Sequence, residues 1–346
     1  MTSDNDHVNS AVEALPVDEG LPSLIGRLFG DHARLEGLQR LSGGASQELW
    51  AFDVTTDGKT RELILRRNPG GTVKRETAAS MEAEARLIQL AQETGTPVPE
   101  IVYVFTPEDK LGSGYLMARL GGETIARKIL RDEEFEGARQ KLAYQIGEAV
   151  AKIHAIPVEK AGDLRRSTIE TSISSARELY QLNGKARPVV EWALRWLADN
   201  HPSEIETPGI VHGDLRNGNI IVGPEGLRAV LDWEVVHIGD PMEDLGWLCV
   251  TSWRFGEIDK PVGGLGSRAD LFAGYEAVSG KPVDAERVKF WEVMGTLRWG
   301  LSCAMMGREF IEGDRSVEKA AIGRRASETE IDLLAILAPR GAYSHA

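Results

Sequence analysis

Cysteine is scarce: Cys249 and Cys303 are the only two in 346 residues. Two thiols make no disulfide framework, and no C-x-x-C pair is present to bind zinc or to run thiol redox chemistry. Positive charge is in deficit, with 40 Lys and Arg against 53 Asp and Glu and a net charge of −13. A chain of this sign repels a phosphate backbone, which argues against bulk nucleic-acid binding. The acid excess suits plain solubility, a cationic substrate or a metal. Long hydrophobic runs are also missing. The most apolar late stretch, 290–306, is broken by Glu292 and Arg298 and falls short of the ~20 residues of a membrane span. The opening MTSDNDHVNS has no basic segment followed by an apolar one, as a secretory signal would. No internal repeat or long low-complexity tract occurs. These absences point to a cytoplasmic protein with no membrane and no nucleic-acid partner.

What is present divides in two. Residues 1–20 are polar and expected to be a mobile N-terminus, with a short helix at about 21–29. From 35 to 119 the pattern is mostly strand. Trp50, Phe52 and Val54 alternate with Ala51 and Asp53, and RELILRR at 61–67 ends on an Asn-Pro-Gly-Gly breaker. A helix over about 76–93 interrupts this region, and strands resume at 101–105 and 115–118. Past Gly121-Gly122 the pattern turns helical. Phe135, Leu142, Ile146, Val150 and Ile153 recur near a 3.6-residue period. Further helices are expected at 172–183, 187–199, 241–253, 268–279, 284–306 and 315–337. A small β island lies at 210–211, 220–222 and 227–231.

The stretch richest in chemistry is Val211-His-Gly-Asp-Leu-Arg-Asn-Gly-Asn219, followed by Leu231-Asp-Trp-Glu234. A strand, a polar loop and a hairpin closed by an acid bring Asp214, Asn219 and Asp232 around one point. Phosphoryl transfer needs such a set. A carboxylate orients an attacking hydroxyl and takes its proton, and oxygen ligands hold magnesium, which keeps several waters and so needs few protein groups.

H-G-D-x-x-x-x-N followed by D-W resembles the aminoglycoside phosphotransferase and choline kinase-like family of the protein-kinase-like superfamily. The resemblance spans about residues 35–310. The segments Leu63-Ile-Leu-Arg-Arg and Asp232-Trp-Glu look most like the branch resembling kinase domains attached to acyl-CoA dehydrogenases. It implies an α+β bilobal fold: a small antiparallel-sheet lobe over 21–119 that binds nucleotide, and a larger helical lobe over 120–346 with the catalytic loop and substrate site. It implies ATP and Mg²⁺ as cofactors and a hydroxyl of a small molecule as acceptor.

The resemblance also assigns residues. Asp214 matches the catalytic base, and Asn219 and Asp232 match the magnesium ligands. His212 matches the residue that braces the loop, and Asp244 an acid that supports it. Arg216 lies where a charge stabiliser for the transferred phosphate is found. Gly43, Gly44, Ala45 and Ser46 lie at the phosphate loop, where backbone N–H groups face phosphate oxygens. Ile64 and Arg66 share one face of a strand. Arg66 occupies the place of the family's usual lysine, and arginine binds phosphate bidentately while keeping its charge. Glu84, on the apolar face of its helix with Leu87, Ile88 and Ala91, is its expected partner, because a carboxylate there needs a cation. Met117, Ala118 and Leu120 match the hinge that meets adenine through backbone groups.

On the acceptor side the candidates are Glu234, Trp291 and Arg298, with Trp253, Arg254 and Trp299 beside them. A cleft-facing Arg298 would favour an anionic acceptor. Acids such as Glu234 and Glu292 would favour an amino sugar. Asp240, Pro241 and Glu243 read as a helix start, with Glu243 in the reciprocal capping position. A second reading stays open, a nucleotide-binding pseudokinase with a regulatory or interaction role, motivated by the missing lysine.

Overall fold

The computed structural model describes residues 14–41, 47–70 and 78–338. The glycine loop expected at Gly43, Gly44, Ala45 and Ser46 lies outside the described residues. The chain divides into two units: the residues up to Gln89 with Pro99–Leu120, and Leu90–Val98 with everything from Gly121 onward.

The first unit is built on a five-stranded antiparallel sheet, β1 (Arg34–Leu41), β2 (Glu48–Thr56), β3 (Lys59–Asn68), β4 (Ile101–Val104) and β5 (Ser113–Ala118), in the order β1-β2-β3-β5-β4. The period-two pattern of β2 does what alternation predicts. Phe52 and Val54 are wholly buried, and Phe52 stands opposite Leu63 of β3. Helix α1 (Val17–Phe29) covers this face. Val17, Leu21, Leu24 and Ile25 fall at i, i+4, i+7 and i+8, one apolar stripe, and pack with Phe52, Leu63, Leu65 and Leu116. Fully burying each such side chain stabilises the unit by roughly 1.5–3 kcal/mol. That stripe corrects the expectation of a mobile end through residue 20 and a helix from 21. The helix begins four residues earlier because Val17 has a buried place to go.

On the opposite face of the sheet, Ile64 lies between Ala51 and Met117, and Arg66 between Leu49 and Tyr115. Helix α2 (Met81–Glu93) follows, and Glu84, Ala85, Leu87, Ile88 and Ala91 are its buried side.

The second unit contains α3 (Ala126–Arg131), α4 (Glu136–His154), α5 (Ile169–Asn183), α6 (Pro188–Asp199), strands β6 (Gly209–Val211), β7 (Ile220–Gly223), β8 (Gly226–Val230) and β9 (His237–Gly239), then α7 (Met242–Cys249), α8 (Arg268–Ser279), α9 (Ala285–Glu312), α10 (Val317–Gly323) and α11 (Ala326–Leu337). Its main core joins α5, α6, α9 and α11 through Leu194, Leu197, Phe290, Met294, Leu297, Leu301 and Leu333. The β7–β8 hairpin is the expected island. Strand β9, which pairs with β6, is not foreseen by the sequence reading.

Several helix boundaries differ from expectation: α2 starts at Met81 and α5 at Ile169, and three more differ further along the chain. Helix α7 stops at Cys249, because Val250 takes an extended ψ of 130° before a short 3-10 turn over Thr251–Trp253. Helix α9 runs on to Glu312, and the helix expected over 315–337 is two helices. Among the described residues, no helix is long and apolar enough to cross a membrane. Helix α7 sits close against α9 because Gly246 has no side chain: a Cβ there would lie 2.5 Å from that of Trp291. This contact matters below, since α7 carries Asp244 and Trp247.

Candidate active site

The site is assembled in the second unit where β6 ends. Gly213 has φ +81°, a left-handed conformation that favours glycine, and a Cβ there would meet the Val235 carbonyl at 3.0 Å. Glycine therefore lets the chain turn sharply between His212 and Asp214. Asp244, wholly buried near the start of α7, holds the turn by accepting the backbone N–H groups of His212 and Gly213, both at 2.8 Å. His154 Nε2, 3.0 Å away, is its third partner, and Tyr275 O–H lies 3.0 Å from His154 Nδ1. Burial by itself raises the Asp244 carboxyl pKa. His154, His212 and the Gly213 amide more than offset that and hold it below the usual range. The supporting role that the resemblance gave Asp244 therefore has a concrete geometry.

His212 is fully buried. Its Nε2 lies 3.0 Å from the Leu231 carbonyl, which can only accept, so Nε2 carries the proton. Nδ1 accepts the Asp214 N–H at 3.3 Å. The ring is thus a neutral brace, and burial pushes its pKa down.

Three side-chain donors converge on the Asp214 carboxylate. Arg216 Nε and Trp247 Nε1 reach Oδ1 at 3.1 and 3.0 Å, and Asn219 Nδ2 reaches Oδ2 at 2.8 Å. Asn219 Nδ2 also donates to the Asp214 carbonyl at 2.8 Å. Two acceptors on one nitrogen fix the amide orientation, so the Asn219 side-chain oxygen is left to face elsewhere. The Asn219 carbonyl accepts the Leu231 N–H at 2.9 Å, which ties the hairpin's far end, and Asp232 next to it, to the loop. Asp232 has φ +64°, a left-handed conformation that Asp tolerates better than most residues and that concentrates at functional sites.

A pair of oxygen ligands from Asn219 and Asp232 fits magnesium, a hard cation that takes one or two carboxylates and retains waters. Among the described residues no group of three or more His, Cys, Asp and Glu side chains could hold a metal.

Beside Asp214 runs a row of indoles. Trp247 and Trp253 have ring centroids 5.1 Å apart, Trp253 and Trp299 are 4.9 Å apart, and the Arg216 guanidinium lies over the Trp253 ring at 4.9 Å. Trp247 is the residue that the sequence reading missed. Its signal was present: it stands three residues after Asp244 on one helix, so the two share a face.

The acceptor-side candidates fall differently. Trp291 is buried and donates its N–H to Asp240 Oδ2 at 2.7 Å, while Asp240 Oδ1 caps α7 through the Met242 N–H at 3.0 Å. Arg298 pairs with Glu243 at 2.7 Å, and Glu243 also meets His237 Nε2 at 3.2 Å. Glu243 is therefore an ion-pair partner and does not take the reciprocal capping position. Burial pushes its pKa up, but His237 and Arg298 pull it down to about 2. Arg254 and Arg268 both pair with buried Glu292, at 3.2 and 2.7 Å. Arg298, Trp291, Arg254 and Glu292 are thus tied into the helical packing, and among the described residues none is hydrogen-bonded to Asp214, Arg216 or Asn219. Glu234 is half-buried, two residues past Asp232.

In the first unit, Arg66 Nε lies 3.3 Å from Glu84 Oε2, and the Tyr115 O–H donates to the same oxygen at 3.2 Å. The expected pair is present, on wholly buried Glu84. Ile64 and Met117 lie opposite one another on that face. The Ala118 N–H is used by the Glu100 carbonyl and the Arg119 N–H by that of Glu62, each at 2.9 Å. Leu120 comes after these last sheet bonds.

Comparison with known proteins gives the family and the fold. The sequence pattern of the phosphotransferase enzyme family matches residues 37–280. Mouse acyl-CoA dehydrogenase family member 10 is 28% identical over 235 residues, 62% of this chain but 21% of that protein. The chain thus spans about a fifth of that relative. Among solved structures, a candidate aminoglycoside phosphotransferase from Ralstonia eutropha JMP134 superposes with a TM-score of 0.72 at 22% identity, covering 92% of this chain and 97% of that one. A thermostable variant of aminoglycoside phosphotransferase APH(4)-Ia, in complex with AMP-PNP and hygromycin B, gives 0.59 at 17% identity, covering 93% of this chain and 100% of that one. At these identities the likeness is one of fold.

Proposed function

The chain belongs to the phosphotransferase enzyme family, and on that premise we propose that it transfers the γ-phosphoryl group of ATP, with magnesium, to a hydroxyl of a small molecule. The observation that carries the reading is the Asp214 carboxylate, held by donors from Arg216, Asn219 and Trp247, with Asp232 tied alongside through Leu231. A general base must be oriented before it can act, and three fixed donors orient it. Asp214 aligns the acceptor hydroxyl and takes its proton. Arg216, beside it, places positive charge where the transferred group gains negative charge. Asn219 and Asp232 would hold magnesium, which when bound supplies charge neutralisation on the phosphates.

In the first unit, Arg66 contacts the nucleotide phosphates and Glu84 keeps its side chain in place. Ile64, Met117 and the backbone of Ala118 and Leu120 receive the adenine. The backbone N–H groups of Gly43, Gly44, Ala45 and Ser46, which lie outside the described residues, are the proposed partners of the phosphate oxygens.

The test is a transfer assay with γ-labelled ATP over amino sugars, amino alcohols and hydroxyacyl compounds. Asp214→Asn should lower transfer by about 10²- to 10⁴-fold, the usual worth of a general base, and leave ATP affinity within twofold. Wild-type turnover in that variant would refute the assignment. One observation favours the second reading, a nucleotide-binding pseudokinase: an arginine, not a lysine, pairs with Glu84. ATP that binds with and without magnesium yet is never hydrolysed or transferred would support it.

A further inference from the structure

We infer that Trp247 is a positioning residue for Asp214, and that its indole N–H, together with Arg216, fills Oδ1 and leaves Oδ2 as the atom that takes the acceptor's proton. The inference rests on the reading of Asp214 as the base.

A carboxylate oxygen has two lone-pair sites. Oδ1 accepts from both Trp247 Nε1, at 3.0 Å, and Arg216 Nε, at 3.1 Å. Among the described residues Oδ2 has a single donor, Asn219 Nδ2 at 2.8 Å. One lone pair on Oδ2 is therefore open to an incoming hydroxyl. In the transfer, the acceptor O–H bond breaks with its proton passing to Oδ2. The acceptor oxygen bonds to the γ-phosphorus, and the bond from that phosphorus to the bridging oxygen breaks, its electron pair leaving on ADP.

The two donors on Oδ1 are not equivalent. Arg216 is a long side chain, about a quarter exposed, with its guanidinium over the Trp253 ring. Trp247 has two rotatable angles, and its ring is held on several sides. Gly295 of α9 leaves room for it, since a Cβ there would lie 3.0 Å from the ring, and Trp253 packs against it. Asp244, one turn earlier on α7, anchors the Asp214 loop by two backbone N–H groups. One helix therefore fixes both the backbone of the loop and the carboxylate plane.

The acceptor is unidentified, so the probe is water: ADP release from ATP and magnesium, with kcat and KM for ATP read separately. Trp247→Phe removes the N–H and some ring volume. Replacing Trp247 with 3-benzothienylalanine puts sulfur in place of the N–H and keeps the ring shape. A lost hydrogen bond to a charged group corresponds to roughly a 10- to 100-fold fall in kcat, and both variants should show it with KM for ATP within twofold. A packing role would spare the benzothienylalanine variant, so wild-type kcat there overturns the inference. Asp214→Asn is assayed in parallel. If it hydrolyses ATP like the wild type, the base assignment itself fails; if it is inactive while both Trp247 variants are not, only the inference fails. Independently of turnover, the Trp247 indole N–H resonance, identified by its loss in Trp247→Phe, should move upfield in Asp214→Asn. An unmoved resonance also overturns the inference.

Discussion

Glu243 offers the sharpest quantitative test of how α7 is held. Its carboxylate is buried and meets Arg298 at 2.7 Å and His237 at 3.2 Å, and its pKa falls from 4.5 to about 2. The sign follows from proton counting. Between these two values the unfolded chain binds a proton that the native chain does not, so stability rises with pH across the window and is complete above 4.5. The shift corresponds to about 3 kcal/mol at neutral pH, at 1.36 kcal/mol per unit, in line with the ~3–5 kcal/mol cost of breaking a buried pair. Glu243→Gln should therefore lose roughly 3 kcal/mol at pH 7, a fall in Tm of about 6–12 °C for a unit of this size. For each pH unit below 4.5 the wild type should lose about 1.4 kcal/mol that the variant does not, so the gap between them narrows. Urea unfolding of both proteins at pH 7, 4.5 and 3.5, followed by tryptophan fluorescence, measures this. A gap that stays constant across the three values would refute the assignment of that stability to the Glu243 charge.

Two further perturbations probe the other buried carboxylates. Asp244→Asn cannot accept two backbone N–H groups and His154 as the carboxylate does, so it should cost about 1–3 kcal/mol for the unsatisfied donors and lower kcat by loosening the Asp214 turn; unchanged unfolding and unchanged turnover would both count against the anchor. Because the Asp244 pKa is depressed, its contribution is present above the ordinary value of 3.8 and is lost as pH falls through the lower folded value. Arg66→Ala removes one charged partner of wholly buried Glu84 and should destabilise the first unit by up to about 3–5 kcal/mol, read by urea unfolding, whereas Arg66→Lys should keep most ATP binding.

The parts of the fold that were legible are those whose cause is local. Alternation at Trp50, Phe52 and Val54 specifies a strand because one face must be buried, and the 3.6 period from Phe135 to Ile153 specifies α4 for the same reason. Thr168 and Ser267 cap α5 and α8 through the N–H groups of Thr171 and Asp270, local signals that the sequence reading does not use, so its expected start for α5 falls at 172. What was not legible has a distant cause. Strand β9 is three residues long and exists because His237, Ile238 and Gly239 pair with Val211, Ile210 and Gly209. Nothing in its own composition says strand. Helix α7 ends at Val250 without a proline or glycine to mark it, and the break between α10 and α11 falls at Arg324-Arg325, two good helix formers.

The same distinction runs through the site, and it shows where motif reasoning stops. Asp214, Asn219 and Asp232 lie within one strand-loop-hairpin, so short-range chain geometry brings them together, and spacing sufficed to find them. Glu84 was found by a different local argument, a carboxylate on an apolar stripe, and its partner Arg66 follows from the cost of an unpaired buried charge. For Arg298, Arg254 and Glu292 that cost argument was equally available but was answered by partners 38 or 55 residues away, which spacing cannot supply. Each of these charges already has a charged partner, so its presence in the sequence does not by itself identify the acceptor. The net charge of −13 loses its meaning for specificity in the same way. Near Asp214 the partly exposed cation is Arg216, its guanidinium lying over the buried Trp253 ring. A guanidinium repels an ammonium group brought beside it, so if the acceptor approaches past Arg216, Arg216→Gln should improve KM for a cationic acceptor relative to a neutral one of the same shape. An unchanged ratio of the two KM values would show that the acceptor does not approach past Arg216.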